Sequence, residues 1–311
     1  MIKKIKDLNI GVKIALVFTV LILLSVAMVW IGYSSLKLVA HKADISQKAS
    51  NISELMLDAR VDEVKFMRNG EKSKAEEVTN TLSKIKEEIT SLKSKMNIAA
   101  EKEQMDDISA LVTKFETAFS DYAQTTYQQQ DYIEVFVNKE HAIIKPLDEL
   151  SNRQNKELTT LIQAENDLEG IKQKQSSLVI IKEVIKHVQE MGKEERNLIL
   201  NLANDELQEK YINNTLQQFK QAKEHLQELK DTFIQAEDIK QVNQLLSNLE
   251  QGRKSFADIV KSEKTKDRQK DKMVQAGNRV AQEVNELAAK KKAGINDTVT
   301  DRVSYLIIVM V

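Results

Sequence analysis

Between Ser34 and Arg302, apolar residues recur at alternating steps of three and four. Val78, Leu82, Ile85, Ile89, Leu92 and Met96 form one such stripe, and Met105, Ile108, Val112, Phe115, Phe119 and Tyr122 form another. Steps of three and four keep side chains on one side of an α-helix, which is the seam of packed, nearly antiparallel helices. Breaks are few. Asn69-Gly70 reads as a turn, because glycine supplies a left-handed C-cap. A second helix is expected to end near Ala99 and a third, beginning near Met105, near Gly170. A fourth should run to about Ala203 and a fifth to about Phe233. The last begins near Asp238.

The first 33 residues follow another pattern. Ile14–Tyr33 carries no charge, a length that matches the ~20 apolar residues needed to cross a bilayer. Trp30 and Tyr33 stand near its end, where interfacial aromatics are favoured. Lys3, Lys4, Lys6 and Lys13 precede it, so the positive-inside rule predicts a cytoplasmic segment 1–13, a transmembrane helix 14–33 and an external segment 34–302. The external segment is periplasmic if the cell is a Gram-negative bacterium and extracellular otherwise. At the other end, Val303–Val311 turns apolar again. The stretch reads as the start of an incomplete second transmembrane helix with Tyr305 near the interface, the chain being a fragment or the product of a truncated gene.

Composition sharpens this picture. One proline (Pro146) and 8 glycines in 311 residues leave few helix breakers, and the abundant Glu, Lys, Gln, Leu and Ala are good helix formers. The expected fold is all-α. Cysteine is absent, which excludes disulfides and thiolate metal sites. A net charge of −1 suggests no nucleic-acid partner.

The segment also repeats itself. Glu63–Asn69 (EVKFMRN) aligns with Glu195–Asn201 (ERNLILN), Asn80–Lys86 (NTLSKIK) with Asn214–Lys220 (NTLQQFK), and Ala118–Gln124 (AFSDYAQ) with Ser255–Lys261 (SFADIVK). The three matches keep their order, so helices one to three echo helices four to six. Where the third helix and the last reach the level of the Asn69 turn, the stripes give way to TTYQQQD (Thr125–Asp131) and KSEKTKDRQKDK (Lys261–Lys272). The second run, with interleaved charges, reads as a solvated helix face. The expected architecture is two stacked four-helix modules sharing two long helices: a proximal module, 34–129 with 267–302, and a distal one, 130–266.

This organisation resembles the helical bimodular sensor domain of methyl-accepting chemotaxis receptors. Ala59–Glu71 (ARVDEVKFMRNGE) is similar to the family's first-module motif, in which an Arg, an acidic residue and an aromatic precede a turn; Val61 stands where a second basic residue is common. The resemblance implies a homodimer that binds a small ligand, commonly an organic acid, among the helices of a module. It also implies a small helix displacement passed through the membrane. A sensor half of a histidine kinase or cyclase, or a membrane-anchored structural coiled coil, are the alternatives.

Nothing in the chain carries the pattern of a catalytic site: there is no phosphate-cradling glycine loop, HExxH or nucleophile elbow. No cofactor is implied. His41, His141, His187 and His225 lack metal-ligand spacing and read as surface or rim residues. Glu63 and its repeat mate Glu195 fall on core stripes, where a carboxylate must be paired or hydrogen-bonded. Arg60, one turn from Glu63, is the foremost anion-binding candidate, since guanidinium grips carboxylate bidentately. Helix levels put Thr117, Gln124 and Arg279 beside it. In the distal module, Asn138, Lys193 and Arg196 join Glu195. Arg60 aligns with Gly192, so the two modules need not bind the same ligand.

Overall fold

The computed structural model describes residues 9–164, 167–201 and 204–310. All regular structure among them is helical: α1 (Ile10–Asn69), α2 (Lys72–Lys95), α3 (Ala99–Ala164), α4 (Leu168–Leu200), α5 (Asp205–Thr232) and α6 (Ala236–Met310). α1 contains one stretch long and apolar enough to cross a membrane, with none of it buried. Residues 1–8, the expected fourth-helix end at Ala203 and the side chain of Tyr305 lie outside the described part.

The ends follow local chemistry. Gly70 caps α1 at φ 67°, and its N–H donates to the Phe66 carbonyl. Only glycine adopts that left-handed region without a Cβ penalty. The helix boundary expected at Gly170 lies earlier. Asp167 is the N-cap of α4, and its carboxylate accepts the Gly170 N–H at 2.8 Å. Gly170 is therefore inside the first turn of α4, because an Asx cap three residues upstream outcompetes glycine as the boundary signal. Asn204 caps α5 the same way, accepting from the Leu207 N–H at 3.0 Å.

The chain divides into two compact units, residues 1–120 with 271–311, and residues 121–270. In the first unit, cross-links tie four helices into a ring. Lys48 pairs with Glu88 (α1 to α2, 2.9 Å), Lys86 with Glu116 (α2 to α3), Gln104 with Glu283 (α3 to α6, 3.0 Å), and Ser46 donates to the Ala288 carbonyl (α6 to α1, 3.2 Å). Inside the ring the α1 stripe Ile45, Ala49, Ile52, Met56, Ala59 and Phe66 is buried, as are Leu82, Ile85, Phe115 and Val280 on the other three helices. Each large side chain so buried contributes ~1.5–3 kcal/mol. Phe66 meets Phe119 edge to face at 5.5 Å between centroids.

The second unit is built alike. Lys174 pairs with Glu157 (α4 to α3), His187 with Gln218 (α4 to α5), and the rings of Phe219 and Phe256 meet across α5 and α6. Its core holds Phe136, Ile143 and Leu147 of α3, Ile181 and Val188 of α4, Leu226 of α5, and Leu245 and Phe256 of α6. Pro146 lies inside α3. Lacking an N–H, it cannot bond the Ala142 carbonyl one turn back. Asn248 of α6 makes that bond instead, donating to the Ala142 oxygen at 3.3 Å, while Gln241 donates to the Pro146 carbonyl at 3.2 Å.

Two expectations are corrected here. The run Lys261–Lys272 is not wholly a solvated face: Ser262, Glu263 and Lys266 are buried. Lys266 Nζ donates to Gln129 Oε1 and Glu263 Oε2, each at 2.9 Å, and Gln129 Nε2 donates to Glu263 Oε2 at 2.7 Å. The Tyr122 ring covers the ammonium at 5.7 Å. The three-four spacing of core positions continues through this run, and polar side chains occupy it by satisfying one another. His187, expected at the surface or rim, is also buried; its Nδ1 lies 2.6 Å from Gln218 Oε1 and its ring stacks on His225.

Candidate functional site

In the first unit the α1 stripe places Arg60 at its edge, next to buried Ala59. The half-buried guanidinium opens onto a groove of about 410 Å³ between α1 and α6, lined by Ser50, Ser53, Glu54, Leu57, Gly277 and Asn285 among others. Gly277 lets the helices close on the arginine stem: a Cβ there would lie 3.3 Å from Arg60 Cδ and 3.2 Å from Met56 Cε. Arg60 Nη1 donates to Asn278 Oδ1 at 2.6 Å. Among the described residues no carboxylate pairs with it, so the remaining guanidinium donors can meet an anion. Glu54, in the same lining, sets a negative limit to one part of the groove.

The other expected members of the proximal set lie elsewhere. Glu63 is buried at 4% exposure on the same helix, on the stripe and not in the groove lining. Thr117, Gln124 and Arg279 are exposed, and the Thr117 hydroxyl donates back to the Thr113 carbonyl at 2.9 Å. Counting residues gives a side chain's height along a bundle but not its direction around the helix. All three are turned to solvent.

In the second unit Glu195 is 1% exposed, and its Oε1 has no hydrogen-bond partner among the described residues. Burial pushes its carboxyl up to about 7; Glu140 adds to the rise and Arg196 opposes it. Glu140, half-buried on α3, is raised too, by burial, against Arg196 and His141. Its carboxylate sits against Gly192 of α4, where a Cβ would come within 2.4 Å of Oε2. Glu195 is one turn beyond Gly192, so both carboxyl groups approach the same stretch of α4. Asn138, Lys193 and Arg196 are exposed, and Lys193 is held by Glu190 at 3.0 Å. The geometry thus brings Glu195 together with Glu140 and Gly192, not with Lys193 or Asn138.

Glu140 had a signal in the sequence that went unread. Phe136, Glu140, Ile143, Leu147 and Leu150 keep the three-four step without a gap, and the carboxylate takes a core position between apolar neighbours. Gln154 continues the same stripe at 0% exposure.

Comparison with known proteins places this architecture. A family model described as the helical bimodular sensor domain matches residues 33–197, more than half of the chain. The chain belongs to the helical bimodular sensor domain family. It is therefore an extracytoplasmic sensor domain of a signalling receptor, a kind of domain that is not itself a catalyst. Among solved structures, this helical bimodular chain is similar to the TorS sensor domain, crystallised in complex with TorT in the presence of TMAO. The TM-score is 0.52 at 12% identity, over 82% of this chain and 99% of that one. At that identity the likeness speaks for the fold alone. No curated protein sequence matches the chain.

Proposed function

We propose that this chain is the ligand-sensing portion of a chemotaxis-type transmembrane receptor that binds small carboxylates in the α1–α6 groove. The observation that carries this reading is Arg60, a half-buried guanidinium with donors to spare in a groove between two helices. One of those helices, α1, also carries the membrane-length apolar stretch. A carboxylate bridging Arg60 and the α6 side of the groove favours one relative position of α1 and α6 over another. A ligand moves such an equilibrium only by its differential affinity for the two positions. The basic residues before Ile14 argue for a cytoplasmic N-terminus and an external sensor. Leu57, Val61 and Val64 form an exposed apolar line on α1, which supports a homodimer.

A thermal-melt screen of the whole chain in detergent against small mono- and dicarboxylates tests this. Stabilisation by at least one of them, absent in Arg60→Ala, is the expected result. No shift with any carboxylate, together with an unaltered response of an Arg60→Ala receptor, sinks the organic-acid reading. A second reading has its own support: the TorS sensor domain is seen with a protein, TorT. A sensor that reads a ligand-loaded partner protein instead stays silent to free carboxylates.

A further inference from the structure

We propose that the Arg60 groove of the first unit takes α-amino acids, Arg60 holding the carboxylate and Glu54 the ammonium group. The inference rests on the reading of this groove as a carboxylate site and adds the second charge of its ligand.

The first observation is a pair of opposite charges in one groove, neither of them met by the other. Glu54 lines the same space of about 410 Å³ as Arg60. Elsewhere on α1 the carboxylates Asp44 and Asp62 are met by Lys95 and Lys65. Among the described residues Glu54 makes no hydrogen bond or ion pair. The Arg60 guanidinium gives one bond to Asn278 at 2.6 Å and keeps its other donors.

The second observation is the company of Glu54. A primary ammonium has three N–H donors to satisfy. Ser53 of α1 and Asn285 of α6 also line the groove and, like Glu54, hold no hydrogen bond among the described residues. The antiparallel pairing of the two helices, marked by Arg60 on Asn278 and by Ser46 on Ala288, puts Asn285 towards the Ser53 end and away from Arg60. One end of the groove therefore offers donors and the other offers acceptors.

The third is spacing. Glu54 and Arg60 are six residues apart on one helix, about 9 Å of rise. Hydrogen bonds of about 2.9 Å at each end leave about 3 Å between the charged groups of the ligand, which one carbon atom spans. That is the pattern of an α-amino acid. Between the two ends the lining is apolar or absent: Leu57 is 63% exposed, and Gly277 and Ala281 of α6 add little bulk. An alkyl side chain fits that stretch. A plain carboxylate on Arg60 leaves Glu54 unmet and brings a second negative charge towards it. A zwitterion satisfies both ends, and through Asn285 it ties α1 to α6.

The test is calorimetric titration of the whole chain in detergent near pH 7. L-alanine and L-valine are each compared with the acid lacking the amino group (propionate, 3-methylbutanoate) and the amine lacking the carboxylate (ethylamine, 2-methylpropylamine). At least one amino acid should bind at least tenfold more tightly than its matched acid, and neither amine should bind. Arg60→Ala should abolish binding of acid and amino acid alike. Glu54→Gln should reduce the preference for the amino acid to less than about threefold, and both variants should keep the helical circular dichroism signal. Matched acids binding as tightly as the amino acids to wild type, amines binding as tightly as either, or a preference unchanged in Glu54→Gln overturns the proposal. The first of these outcomes leaves Arg60 as a carboxylate site and removes the role of Glu54 alone. Absence of binding by every acid and amino acid removes the Arg60 reading with it.

Discussion

Replacing Glu195 by Gln should stabilise the protein, and only above acidic pH. The buried carboxyl of Glu195 titrates at about 7 against an ordinary 4.5. The folded state therefore binds this proton more tightly than the unfolded chain does. Stability is intact below the unfolded pKa and is lost as the pH rises from about 4.5 through about 7. At ~1.36 kcal/mol per pK unit the loss approaches about 3 kcal/mol by about pH 8 and stays below about 1 kcal/mol at about pH 5. Gln has the same shape and no charge to bury, so Glu195→Gln regains this energy where wild type has lost it. For a unit of this size that is roughly 6–12 °C in melting temperature, as an upper bound. Differential scanning calorimetry of both proteins at the two pH values reads the difference directly. A gain near pH 8 that shrinks several-fold near pH 5 supports the reasoning. An equal effect at both pH values refutes it, because the cost of Glu195 would then not be a cost of charge.

Other perturbations follow from the same contacts. Lys266→Met leaves Glu263 buried without its cation and should cost about 3–5 kcal/mol by denaturant unfolding, much of it recovered in the double variant with Glu263→Gln. Asn248→Leu removes the donor that serves the Ala142 carbonyl opposite Pro146 and should cost about 1–3 kcal/mol. The same variant made with Pro146→Ala, which restores the helical N–H, should lose less. Gly70→Ala, forced to φ 67°, should cost about 1 kcal/mol without altering any ligand response.

The helices were legible in the sequence because their stripes have few interruptions and only Pro146 tests them from within. The Asn69–Gly70 turn was legible because glycine at a left-handed cap has a direct physical reading. The α3–α4 boundary was harder, since Asp167 rather than Gly170 sets it. The buried polar residues were legible only in part. Glu63 and Glu195 stood out against apolar neighbours, but Gln129, Glu263 and Lys266 sat in runs polar enough to look solvated. Whether such a run is surface or core is decided by partners on other helices, which a single stripe does not display. The candidate sites show the same limit. Arg60 was found from its neighbourhood to Glu63, whereas Thr117, Gln124 and Arg279 were placed by height alone, and the helix rotation turns them outward. Gly192 was noted as the repeat mate of Arg60, but its use, to admit the Glu140 carboxylate, needed α3 beside it.

The central claim is that a small ligand biases the relative position of α1 and α6. The chain has no cysteine of its own, so single cysteines at Lys37 and Asp301, both exposed, can carry spin labels without background. Pulsed electron paramagnetic resonance on the whole chain in nanodiscs then measures their separation with and without the most stabilising carboxylate. The account predicts a shift of about 1–2 Å in the mean distance, abolished by Arg60→Ala. An unchanged distance distribution at saturating, calorimetrically verified ligand would contradict it.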